Sequence, residues 1–274
     1  MDNQAEPQIL SCADGATIAY HKVEGKSPGV MFLTGFKSDM TGGKALALED
    51  FCRDTGRAFL RFDYTGHDQS SGAFEDGTIG DWTADAVSVL DDVADGPQVL
   101  VGSSMGGWIM LLTALARPDK VAGLLGIAAA SDFTEDLIWN TFTDQQRAAM
   151  EKDGFVDIPN CYEDQEPYRI SHELVIEGRQ HLLLDREIPL DVPVRLIHGI
   201  LNEDVPWPTS QRIAERLRSE DVETTFVKNG DHRLSEPHDL DRLCRVLAGL
   251  LETLDRRPQS AADCRRLAII RKNS

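Results

Sequence analysis

The sequence is short of positive charge: 28 lysines and arginines stand against 46 aspartates and glutamates in 274 residues, a formal net charge of −18. Such a surface repels phosphate backbones and anionic bilayers, so nucleic acid is not an expected partner. The excess acid reads as a solvated, aggregation-resistant surface and says little about substrate. Long apolar runs are missing as well. No stretch approaches the roughly 20 residues that cross a bilayer, so membrane insertion is not expected. The five cysteines, Cys12, Cys52, Cys161, Cys244 and Cys264, are scattered and never spaced as Cys-x-x-Cys. That argues against a disulfide framework or a zinc site and for a reducing compartment. The opening Met-Asp-Asn-Gln-Ala-Glu-Pro has neither the basic-then-apolar order of a signal peptide nor the arginines of a transit peptide, and a cytoplasmic protein is the expectation.

What is present is an ordinary globular composition, 41% apolar and 27% charged, long enough for one sizeable core. Strand-like and helix-like segments alternate, which implies a mostly parallel sheet covered by helices on both faces. Residues 15–23 alternate as an edge strand would, and Gly29–Thr34, Ala58–Tyr64, Pro97–Ser103, Leu124–Ala129, Val192–His198 and Glu223–Lys228 read as further strands. Helical spacing is seen over Lys44–Arg57, Asp81–Ala94, Met105–Ala116, Thr209–Ser219 and His238–Leu254. Residues 134–190 break this rhythm between two strands that should be neighbours. They are expected to form a small helical cap on a core built from 1–133 and 191–254. Residues 255–274 form a basic tail (Arg256, Arg257, Arg265, Arg266, Arg271, Lys272), read as a loosely ordered end.

The chemistry is concentrated in Gly102-Ser103-Ser104-Met105-Gly106-Gly107, directly after an apolar strand and directly before a helix. This is the pattern of a nucleophile elbow. Ser104 has to occupy a strained turn that lifts its hydroxyl clear of the sheet, and Gly102 and Gly106 leave space where any side chain would collide with the crossing helix. A bare Gly-x-Ser-x-Gly arises by chance in about one chain of this length in ten, so its flanking strand and helix carry the inference. A serine hydroxyl needs a base. His232, in Gly230-Asp231-His232-Arg233 after the last strand, is the candidate, with Asp231 beside it as a turn former. His198 reads as structural, and His21, His172, His181 and His238 sit on strand or helix faces; His67 alone shares a loop near the expected mouth. The developing oxyanion calls for two backbone donors, Met105 N–H at the start of the helix and Phe36 N–H after Thr34-Gly35.

Several stretches together resemble one subfamily. They are Lys44-Ala45-Leu46-Ala47-Leu48-Glu49, Arg61-Phe62-Asp63-Tyr64-Thr65-Gly66, Asp95-Gly96-Pro97-Gln98, Val101–Trp108 and Val205-Pro206-Trp207. From about Pro28 to Leu254 the chain resembles the palmitoyl-protein thioesterase and acyl-glucuronide esterase subfamily of α/β-hydrolases, known from mitochondria and bacteria. The resemblance implies an α/β-hydrolase fold and a serine acyl hydrolase of esters or thioesters, with no metal or organic cofactor and a small-molecule or acyl-protein substrate. It places the nucleophile at Ser104 and the histidine at His232. In the family pattern the triad acid stands third after His-Gly, and here that place holds Asn202. Asp204, two residues on, is expected to serve instead, with Asp132 and Asn202 itself as alternatives. Two other readings stay open: a binding protein on a lapsed hydrolase scaffold, and a carbon–carbon bond hydrolase. A haloalkane dehalogenase is disfavoured, because that chemistry wants a carboxylate at the elbow.

Overall fold

The apolar runs assemble into one eight-stranded sheet in the computed structural model, which describes residues 6–13, 15–158 and 167–256. In chain order the strands are β1 (Gln8–Ser11), β2 (Thr17–Val23), β3 (Lys26–Leu33), β4 (Arg57–Phe62), β5 (Gln98–Ser103), β6 (Val121–Ile127), β7 (Phe155–Ile158), β8 (Tyr168–Ser171), β9 (Val194–Gly199) and β10 (Val222–Val227). The large sheet runs β1-β2-β4-β3-β5-β6-β9-β10, antiparallel over its first three strands and parallel thereafter. Side chains alternate across β3. Val30 and Phe32 face one core layer with Leu48 and Leu247, while Met31 and Leu33 face the other with Trp82 and Trp108. This period of two is what a strand covered on both faces requires. The covering helices are α1 (Gly43–Asp54) and α7 (Pro237–Arg256) on the first face, α2 (Ile79–Asp92) and α3 (Met105–Ala116) on the second, with α6 (Pro208–Arg216) behind the C-terminal strands. β1 has no counterpart in the sequence reading. It is four residues long and pairs only at the edge, too short for a periodic signal.

β6 and β9 pair directly in parallel, so the whole 134–190 stretch is an excursion between adjacent strands. It begins with a wide helical turn at Thr134–Ile138 and runs through α4 (Asp144–Asp153), the β7/β8 pair and α5 (His172–Gly178). The expectation of a helical excursion is therefore corrected to a mixed one. Phe155–Ile158 and Tyr168–Ser171 are antiparallel strands, each only four residues long, and neither has enough neighbours in sequence to show alternation. Residues 159–166 and, apart from Arg256 at the end of α7, the basic residues of the tail lie outside the described residues.

Candidate active site

Strand β5 ends at Ser103, helix α3 begins at Met105, and Ser104 joins them at φ 54, ψ −122. A non-glycine residue in this region costs roughly 1–3 kcal/mol and persists only where its surroundings over-determine it. The surroundings do so. Ser104 N–H donates to Ile127 O at 2.9 Å, and its carbonyl accepts from Gly107 N–H at 2.9 Å and Ala130 N–H at 3.0 Å. The flanking glycines are sterically required. A Cβ on Gly102 would lie 2.6 Å from the Gly106 carbonyl carbon, and one on Gly106 would lie 2.7 Å from that of Leu33.

The loop after β10 returns His232 to this serine, with Nε2 3.1 Å from Ser104 Oγ. Asp231 shapes the loop rather than orienting the ring: its Oδ1 accepts from Leu234 N–H at 2.8 Å. Burial pushes the His232 pKa down, the positive charge of Lys44 and the neighbouring His198 push the same way, and Asp204 and Asp231 oppose them. His232 Nδ1 is buried and hydrogen-bonds to none of the described residues. His67 does not reach the serine. It is packed edge-on against Tyr64, Phe74 and Trp82, and burial lowers its pKa to about 4. His198 is held inside the fold by Ser210 Oγ at 2.7 Å and Val205 O at 2.9 Å.

The three candidate acids separate by where their side chains are engaged. Asn202 is buried, 7% exposed, and turns into the loop. Its Oδ1 accepts from the amides of Asp204 at 3.1 Å and Val205 at 2.9 Å, and its Nδ2 stands 3.1 Å from His198 Nε2, not against His232. Asp132 is taken as well: its carboxylate accepts from Leu183 N–H at 2.9 Å and Leu184 N–H at 2.8 Å, fastening the returning end of the excursion. Asp204 lies exposed on the rim of the cavity that holds Ser104 and His232, and it heads the charges that raise the His232 pKa.

That cavity measures about 570 Å³. Met105 and Phe36 both line it, and among the described residues neither of their amides donates a hydrogen bond. Gly35 brings the second amide close, since a Cβ there would touch Ser104 Cβ at 3.3 Å. The Phe36 ring fixes this turn through edge contacts with Phe74 at 4.8 Å, Phe133 at 5.8 Å and Tyr168 at 5.9 Å. The far wall is apolar and comes largely from the excursion: Leu137, Ile138, Ile158, Tyr168 and Ile170. Sequence reading missed Tyr168 and Ile170 as wall residues and Lys44 as a neighbour of the histidine. Their spacing carries no signal, because each meets the site only through the tertiary fold. Among the described residues no three His, Cys, Asp or Glu side chains converge as a metal site would need, and no helix is long and apolar enough to cross a membrane.

Comparison with known proteins agrees with this fold. The alpha/beta hydrolase family profile matches residues 43–246. The human "palmitoyl-protein thioesterase ABHD10, mitochondrial" is 42% identical over 246 residues, covering 90% of this chain and 80% of that protein. The structure of alpha/beta hydrolase domain-containing protein 10 from mouse superposes with a TM-score of 0.86 at 41% identity, covering 91% of this chain and all of that one. Est1E from Butyrivibrio proteoclasticus shares the fold alone, with a TM-score of 0.73 at 17% identity over 92% of this chain and all of that one. The human, orangutan and bovine relatives are mitochondrial by name, which overturns the cytoplasmic expectation. That expectation rested on the cysteine pattern and on an opening stretch without signal- or transit-peptide features, and a cellular address is read by receptors rather than set by the folded domain.

Proposed function

The chain belongs to the alpha/beta hydrolase family and hydrolyses ester or thioester bonds, and from that premise we propose that it works through an acyl-enzyme on Ser104, with His232 as base and acid and Asp204 as the orienting carboxylate. The observation that carries the reading is the 3.1 Å contact of His232 Nε2 with a serine hydroxyl raised on a strained turn. A lapsed scaffold has no physical reason to hold that strain. With the proton of the imidazole on Nδ1, Nε2 accepts the hydroxyl proton as Oγ bonds to the acyl carbon. The amides of Met105 and Phe36 receive the oxyanion. As the tetrahedral intermediate collapses, the bond to the leaving thiolate or alkoxide breaks and Nε2–H returns the proton to it. Water then repeats the sequence, releasing the carboxylic acid and restoring Ser104. Asp204 is to hold the imidazolium through Nδ1–H, a hydrogen bond that forms once substrate is bound.

The substrate class follows from the wall and from the relatives. The residue 134–190 excursion serves as a cap whose apolar side chains Leu137, Ile138, Ile158 and Ile170 receive a long acyl chain. The thioesterase named above supports an acyl-protein thioester such as a palmitoyl cysteine as substrate. The test is a fluorophosphonate label with a panel of acyl esters and thioesters. Ser104→Ala is expected to abolish labelling and to lower kcat by several orders of magnitude with the fold intact, whereas labelling retained in this variant would refute the assignment.

A further inference from the structure

We propose that Lys44 is a positioning residue for His232: its ammonium, bonded at the wall of the active-site cavity to the Arg233 carbonyl, fixes the histidine loop and sets a positive charge in the same cavity as the ring. The bond is 2.6 Å long and joins positions 189 residues apart, tying the start of α1 to the residue next to His232. The placement is otherwise unfavourable. Lys44 stands in the first turn of α1, where no acidic side chain accompanies it and the helix dipole disfavours a cation. It is half-buried on the cavity wall, and burial lowers its pKa to about 8. A cation kept where both desolvation and a helix end oppose it marks a site that uses it.

The charges around the pair are few. Lys44 faces Asp231 and Arg233 on the histidine loop and Asp239 on α7, and Asp239 is itself paired with Arg242 and His238. His232 faces Lys44, Asp204, Asp231 and His198. A positive charge beside an imidazole disfavours the imidazolium, so Lys44 lowers the pH at which His232 becomes a competent base.

The inference rests on the Ser104–His232 reading, and the experiment separates the two. The pH profile of kcat/KM is measured on one acyl ester for wild type, Ser104→Ala, Lys44→Met and Lys44→Arg, with thermal unfolding as the check on folding. Lys44→Met is expected to lower kcat about tenfold, as a loosened catalytic loop does, and to move the acid limb of the profile to higher pH. Its loss is then severalfold greater at about pH 6 than at about pH 8. Lys44→Arg, which keeps donor and charge, is expected to restore both. An unshifted acid limb in folded Lys44→Met, or an Arg variant no better than the Met one, overturns the role of Lys44. Activity surviving in Ser104→Ala overturns the underlying reading instead.

Discussion

At the residue scale the open chemistry is the acid, because an orienting carboxylate fixes the histidine tautomer and stabilises the imidazolium, and an amide does neither well. Asn202, where the family resemblance places the acid, spends its side chain on the loop backbone, accepting the amides of Asp204 and Val205, while Asp204 stands at the rim. Replacing a triad aspartate by asparagine costs about 10⁴ in kcat in serine proteases. For this loop, Asp204→Asn is expected to lower kcat by about a hundredfold or more with little change in KM, and Asn202→Asp to gain little. Steady-state kinetics of both variants on one ester decide the matter. A steep gain in Asn202→Asp with an inert Asp204→Asn would transfer the role to position 202.

At the element scale, Asp132 is one of several points that fasten the excursion to the core, beside Glu177 on Gly80 N–H, the His181 carbonyl on Trp108 and Asp136 on Arg212. Asp132, at φ 62 just after β6, receives the amides of Leu183 and Leu184 in a buried setting, and burial raises its pKa while those two amides lower it. Leaving one buried amide without an acceptor costs about 1–3 kcal/mol. Asp132→Asn, whose remaining oxygen can serve only part of this pair, is expected to lower thermal stability by about that amount while kcat stays within about twofold. A hundredfold loss of kcat in a folded Asp132→Asn protein would return Asp132 to the triad. α1 and the β10–α7 loop are likewise joined, at Lys44 and Arg233.

At the scale of the whole molecule, a charge of −18 leaves more carboxylates than cations to pair with them, and Asp63 is one with no cation beside it among the causes of its shift. It is fully buried after β4, accepts from Met40 N–H at 2.7 Å, and has its pKa raised from 3.8 to about 6 by burial first, with Asp68 and Asp39 adding to it. A group whose folded pKa is raised contributes stability that is complete below its unfolded pKa and is lost as pH rises through the folded one. Asp63 therefore weakens the fold between about pH 4 and pH 7, by about 2–3 kcal/mol in all. Urea unfolding at about pH 4.5 and about pH 7.5 is expected to show Asp63→Asn gaining about 2 kcal/mol on wild type as pH rises. A stability difference that stays constant over this range would mean that Asp63 ionises normally.

The local grammar of the chain by itself determined the strand–Ser104–helix junction, the glycines that allow it and the return of His232 after the last parallel strand. Steric strain and hydrophobic period act over a few residues and so are written in neighbouring letters. The choice among Asn202, Asp204 and Asp132 was not legible. All three are polar residues at strand ends, and which of them faces the histidine depends on whether the amides of Val205 or Leu183 and Leu184 have already claimed the side chain. The β7/β8 pair, the Tyr168 wall and the reach of Lys44 to a carbonyl 189 residues away are also products of the tertiary fold. Each depends on distant segments being brought together, and no short-range pattern encodes the direction in which a side chain then points.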